Sequence, residues 1–264
     1  MRHHGLVRVP TIVLLHGQPD SSASFWPLRR ELHNRMRPGV RIVAPDRPGY
    51  GVNPMPATDF AGNVRWLRRW LARVNAGPVM LIGHSWAGGV AALAASGDPG
   101  PVAGLVLLAS IGPSCLLRID PVLASPVLGD AIAFSTLRLA RPLIRRRVRS
   151  VFADHIPAAD TPYARTSGLA MRHRPVWRSF LTEQRALIRE LPEITGALPR
   201  IAVPTRVITG TRDQIIPERT PTELIRAIPG ARRIDIDGGH DLQLRQPAHV
   251  AEHVAGFANL VFED

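Results

Sequence analysis

Lysine is absent from this chain: all 33 basic side chains among its 264 residues are arginine. Against 21 acidic residues they give a net charge of +12 and a pI near 11.5, values that invite a nucleic-acid or anionic-membrane partner. Phosphate-binding surfaces draw on both basic residue types, so a complete exchange reads as coding bias, and no nucleic-acid partner is expected. The densest cluster, Arg138, Arg141, Arg145, Arg146, Arg147 and Arg149, alternates with Leu137, Leu139, Leu143, Ile144 and Val148. It reads as a solvated helix face, with weak attraction to a membrane surface or an acidic partner as the alternative.

Other absences narrow the class further. A single cysteine, Cys115, excludes an internal disulfide and fits a reducing compartment. No apolar run approaches the ~20 residues that a transmembrane helix needs. The first ten residues carry positive charge without a long apolar core or a small-residue cleavage site, so a cytoplasmic location is expected. His, Asp and Glu show no metal-ligand spacing and there is no Gly-x-Gly-x-x-Gly loop, so neither a metal nor another cofactor is expected.

What the chain does have is a 45% hydrophobic composition, ample for one domain with a large core. The stretch Val79-Met80-Leu81-Ile82-Gly83-His84-Ser85-Trp86-Ala87-Gly88 organises it. Val79 to Ile82 read as a buried strand, and from Ser85 the apolar positions Val90, Leu93 and Ala94 follow helical spacing. A serine between strand and helix sits on a tight turn whose neighbours must lack bulk, and Gly83, Ala87, Gly88 and Gly89 meet that need.

Further strands are expected at Thr11–Leu15, Arg41–Ala44, Val102–Ala109, Ala202–Thr209 and Arg232–Ile236, with helices at Ser24–Met36, Asp59–Asn75 and Pro247–Phe262. Gly77-Pro78 is read as the stop of the second helix. Alternation at this spacing predicts an α/β fold, a mostly parallel sheet flanked by helices on both faces. From Ser114 to about Thr195 the rhythm breaks into short helical patterns separated by prolines.

The strand-turn-helix stretch around Ser85 resembles the nucleophile elbow of the alpha/beta-hydrolase family, Gly-x-Ser-x-Gly, with Ala87 in the last position. Four more motifs are similar to that family's in order and spacing: His16-Gly17-Gln18, Asp46-Arg47-Pro48-Gly49-Tyr50-Gly51, Gly210-Thr211-Arg212-Asp213, and Gly238-Gly239-His240. The resemblance implies a Ser85-Asp213-His240 triad, with backbone N–H donors of Gln18 and Trp86 forming an oxyanion hole. It also implies N-terminal strands reduced relative to the family, a hydrolase core over 1–112 and 196–264, and a helical cap inserted over 113–195. Leu116, Leu117, Leu123, Val127, Leu128, Phe134, Leu137, Phe152, Trp177 and Phe180 are candidates to line that cap.

Other polar residues receive lesser roles. Asp46 is read as a residue that bonds loop backbone, and Asp120 lies too far into the cap to be the triad acid. His16 and His84 flank the site and act through backbone and packing. His3, His4, His33, His155, His173, His249 and His253 read as surface residues, and Asp241 as a cap on the last loop or helix. Proline after Gln18 suggests a cis peptide.

The expected reaction is hydrolysis of a carboxylic ester, or a related acyl bond, of a small to medium apolar molecule. Two other readings stay open. One is a cofactor-free carbon-carbon bond hydrolase or perhydrolase with Arg47 or cap arginines holding a substrate carboxylate. The other is a ligand-binding receptor with vestigial activity.

Overall fold

The structure is a computed structural model, and it describes residues 8–131, 135 and 176–263. Six strands form one sheet: β1 (Val9–Leu15), β2 (Arg41–Val43), β3 (Ala76–His84), β4 (Val102–Leu108), β5 (Thr205–Gly210) and β6 (Arg232–Ile236). Their order is β2-β1-β3-β4-β5-β6, and every neighbouring pair is parallel. Parallel strands need crossover helices, which cover both faces and force both strand faces to be apolar.

The alternation of side chains accounts for the two cores. Val13, Leu15, Val79 and Leu81 point to one face, where α2 (Phe60–Arg73), α3 (Trp86–Ala95) and α6 (Arg219–Ala227) bring Phe60, Leu67, Val90 and Leu224. Ile12, Leu14, Met80 and Ile82 point to the other. There α1 (Trp26–Arg35) and α8 (Pro247–Phe262) pack Leu28, Leu32, Val250 and Val254 against them. Asp59 caps α2, its carboxylate accepting the Gly62 N–H at 2.7 Å.

Gly77 and Pro78 lie inside β3, not at a helix stop. The register shifts there, so that Gly77 and Pro78 oppose the single residue Pro10 of β1. A bulge tolerates prolines that cannot donate to the ladder.

From 114 to 195 no strand occurs among the described residues; the helices there include α4 (Asp120–Ala124) and α5 (Val176–Ala197), and residues 128–131 are helical as well. A four-residue α7 (Leu242–Arg245) follows β6. Of the expected cap lining, Leu117, Val127 and Leu128 are exposed, while Phe134, Leu137 and Phe152 lie outside the described residues, as do the arginine cluster at 138–149, His3, His4, His155 and His173. His33, His249 and His253 are exposed as expected. Among the described residues no helix is long and apolar enough to cross a membrane.

Candidate active site

The chain leaves β1 toward the β2 edge and leaves β3 toward β4, so the crossovers diverge between two adjacent strands. In open parallel sheets such a divergence opens a crevice at the carboxyl ends of the strands. His16-Gly17-Gln18 follows β1 and Ser85 follows β3, which places both at that crevice.

Ser85 has φ 54° and ψ −123°, a left-handed backbone that costs a non-glycine residue of order 1–3 kcal/mol. Its surroundings hold it there. The Ser85 N–H donates to the Leu108 carbonyl at 3.0 Å, and its own carbonyl accepts from Gly88 at 2.9 Å and Ile111 at 3.2 Å. The turn also requires close approach: a Cβ on Gly83 would meet the Ala87 carbonyl at 2.6 Å, and one on Gly17 would meet the Ser85 Cβ at 2.8 Å.

Ser85, Asp213 and His240, read from three separate motifs, come together. Ser85 Oγ lies 2.9 Å from His240 Nε2, and His240 Nδ1 lies 2.9 Å from Asp213 Oδ2. The ionised carboxylate accepts only, so the imidazole proton sits on Nδ1 and Nε2 is left to accept from the serine hydroxyl. The Asp213 side chain is 3% exposed. Burial pushes its carboxyl up, but the hydrogen bond and charge of His240 and the N–H groups of Ile216 and Ile215 outweigh that and leave it below the ordinary aspartate value. Asp213 Oδ1 accepts those N–H groups at 2.8 Å (Ile215) and 3.0 Å (Ile216).

Among the described residues no hydrogen bond takes the N–H of Gln18 or of Trp86. The Gln18–Pro19 peptide is cis, as expected. The Gln18 side chain donates to Gln184 Oε1 at 3.0 Å, and Gln184 donates to Asp120 Oδ1 at 2.9 Å. Asp120 thus braces α4 against α5 and is not the partner of His240. Asp46 is a loop brace as expected, accepting the N–H of Ser22 at 2.7 Å and of Val52 at 2.8 Å. Asp241 stands at the N-cap of α7, whose N–H groups meet its carbonyl and not its carboxylate.

A buried polar cluster lies behind the crevice, and its pairing had no sequence signal although Arg47 and Tyr50 stand in the motif at 46–51. Arg47 and Glu183 are both fully buried and form an ion pair, and the Tyr50 hydroxyl donates to Glu183 at 2.7 Å. Arg47 also donates to the carbonyls of His16 at 2.7 Å and Gly17 at 3.0 Å. A guanidinium so enclosed has no face left for a substrate carboxylate, which corrects the expectation for Arg47. Burial drives the Glu183 carboxyl up, and Arg47 and Tyr50 oppose that rise. The pairing spans 136 residues, too far for any local pattern to announce.

His16 and His84 act through backbone contacts. His16 Nε2 accepts the Arg47 N–H at 3.0 Å, which leaves Nδ1–H to donate to the Gly17 carbonyl at 2.8 Å. Burial, then the Arg47 charge, hold His16 well below the usual histidine range and hence neutral. Among the described residues no group of three His, Cys, Asp or Glu side chains is placed to hold a metal.

Residues 12–253 match the model of the alpha/beta hydrolase family. Among curated proteins the chain is similar to a haloalkane dehalogenase of Mycolicibacterium paratuberculosis, 26% identical over 267 residues, covering 95% of this chain and 84% of that one. A 2-hydroxy-6-oxononadienedioate/2-hydroxy-6-oxononatrienedioate hydrolase of Cupriavidus pinatubonensis is 26% identical over 233 residues, covering 84% and 77%. Among solved structures, an esterase from Thermogutta terrifontis superposes with a TM-score of 0.72 at 21% identity, covering 96% of this chain and 90% of that one. With a parallel sheet flanked by helices, as expected, and a family match across nearly its whole length, the chain belongs to the alpha/beta hydrolase family.

Proposed function

We propose that this hydrolase cleaves a carboxylic ester, or a related acyl bond, of a small to medium apolar molecule through an acyl-enzyme on Ser85. The observation that carries the reading is the 2.9 Å contact between Ser85 Oγ and His240 Nε2, on a turn that holds the hydroxyl at the mouth of the sheet. Ser85 Oγ attacks the carbonyl carbon while His240 takes its proton; the oxyanion rests on the N–H groups of Gln18 and Trp86. His240 returns the proton to the departing alcohol, then activates a water that cleaves the acyl-enzyme and regenerates Ser85.

The dehalogenase relative suggests a rival chemistry, but displacement of halide needs a carboxylate nucleophile, and the position holds Ser85. The segment 113–195 is proposed to be the cap that covers the acyl pocket, with α4 and α5 among its described parts.

The test is hydrolysis of p-nitrophenyl esters from acetate to palmitate, with Ser85→Ala as the blank. Turnover that disappears in the variant supports the reading, and the preferred chain length measures the pocket. Folded wild type that turns over none of the series overturns it in favour of a carbon-carbon bond hydrolase or perhydrolase, or a receptor.

A further inference from the structure

Arg47 has five N–H donors, and the site uses all of them. Nε donates to the His16 carbonyl, Nη2 to the Gly17 carbonyl and Glu183, and Nη1 to Glu183 and Asn63. The guanidinium lies between two rings, 4.7 Å from the Trp86 centroid and 5.1 Å from that of Tyr50. A buried pair of this kind is often no more stabilising than apolar side chains of similar volume. Its position relative to the reacting serine points to another role.

The Gly17 carbonyl and the Gln18 N–H belong to the same peptide. In a trans peptide these groups point in opposite directions. Both lone pairs of the Gly17 oxygen are taken, one by Arg47 Nη2 at 3.0 Å and the other by His16 Nδ1–H at 2.8 Å. The peptide plane is therefore fixed from its oxygen side, and its N–H is aimed away from the guanidinium. A cation bonded to a peptide oxygen also draws electron density from the nitrogen and makes the N–H a stronger donor.

We propose that Arg47 is the positioning residue of the oxyanion donor at Gln18, orienting and polarising the Gly17–Gln18 peptide, with Glu183 as its buried counter-ion. This rests on the ester-hydrolase reading given above. Glu183 ties the second donor into the same unit: its backbone carbonyl accepts the indole N–H of Trp86 at 3.1 Å. One turn of α5 thereby holds both halves of the oxyanion hole. Because the arrangement exists before substrate arrives, it stabilises the developing charge without reorganisation. His16 completes it as a neutral donor, since a protonated Nε2 would repel the Arg47 N–H that it now accepts.

The test uses the full chain and the double variant Arg47→Met/Glu183→Gln, which removes the pair without stranding a buried charge. Removal of a whole oxyanion donor costs about 10²- to 10³-fold in rate, so loss of its alignment should lower kcat on the best p-nitrophenyl ester about 10- to 100-fold. KM should stay within about two-fold, since the donor acts on the transition state and not on the bound ester. Affinity for an alkyl boronic acid, whose tetrahedral adduct places an oxygen in the hole, should fall with kcat. Arg47→Lys, with Glu183 intact, keeps the charge but has three donors for five acceptors and should recover only part of the rate.

A double variant with a cooperative melt and wild-type kcat overturns the proposal, as does a loss confined to KM. If the double variant gives no cooperative melt, Arg47→Lys decides: reduced kcat at unchanged KM supports the proposal, and wild-type kcat overturns it. Labelling of wild type by a fluorophosphonate separates the two levels. Ser85-dependent labelling and turnover with unaffected Arg47 variants sinks this inference alone, whereas absence of both in wild type sinks the hydrolase reading beneath it.

Discussion

The imidazole of His84 lies 4.9 Å from that of His240, and its Nε2–H donates to the His240 backbone carbonyl at 3.2 Å. His84 Nδ1 is buried with no partner among the described residues, so a second proton there would find neither an acceptor nor water. Burial first, and then the charge of His240, lower the His84 pKa from 6.5 to about 4. Between those values the unfolded chain binds a proton that the folded chain refuses. The contribution of His84 to stability is complete above pH 6.5 and is lost as pH falls toward 4, an effect of at most roughly 3 kcal/mol. Urea midpoints measured from pH 7 to 4 should fall more steeply for wild type than for His84→Gln, which keeps a donor for the His240 carbonyl and does not titrate; equal slopes would contradict the assignment.

Asp20 has the opposite sign. Burial, reinforced by Asp241 and opposed by hydrogen bonds from Ser21 and Ser24, raises its pKa from 3.8 to about 7. The folded state then holds a proton that the unfolded state has released, so the carboxyl's contribution is present below pH 3.8 and lost as pH rises through 7. Asp20→Asn, whose amide oxygen can still accept the Ser21 N–H, should raise the melting temperature at pH 8 and leave it nearly unchanged at pH 4. A shift of equal size at both pH values would rule out this account.

Asp213→Asn tests the orientation of the base. An amide offers its N–H to the imidazole as readily as its oxygen, which stabilises the tautomer with the proton on Nε2, where it cannot accept from Ser85. A loss of about 10⁴-fold in kcat with an unchanged far-UV spectrum is expected. A loss below ten-fold would mean that another acid orients His240.

Gly17→Ala probes the crowding at the turn. The added methyl would lie 2.8 Å from the Ser85 Cβ and 3.1 Å from His84 Nδ1, closer than carbon atoms approach without displacement. Overpacking of this kind costs about 1–3 kcal/mol, and here the displaced atoms are those of Ser85, the proposed nucleophile. Melting should show a modest loss of stability, and ester turnover should fall by at least about 100-fold; retained turnover would show that the serine can shift without penalty.

The meeting of Ser85, His240 and Asp213 was legible because each stands at the end of an apolar strand in a short turn with its own composition: small residues about Ser85, Gly210 before Asp213, Gly238-Gly239 before His240. A parallel sheet places all such ends on one side, so local patterns sufficed to assemble a distant constellation. Gly77-Pro78 was misread because the same pair suits a helix stop and a strand bulge, and only the register with Pro10 decides between them. Arg47 was singled out but given the wrong role, and Glu183 and Gln184 carried no signal. The Arg47–Glu183 and Gln18–Gln184 contacts span 136 and 166 residues, and a buried arginine in sequence looks like any of the other arginines of a chain without lysine.

The place of β1 in the sheet has a consequence for how the protein folds. Its two neighbours, β2 and β3, start 32 and 67 residues after it, and both pairings are parallel. Such pairing closes long loops before it gains contacts, which makes it slow and leaves few ways to form the centre of the sheet in pieces. When β1 docks on β3, the loop bearing Gln18 and the turn bearing Ser85 arrive together. On refolding, recovery of the serine's environment should therefore keep pace with burial of the sheet's centre, with no folded but unassembled species accumulating between them.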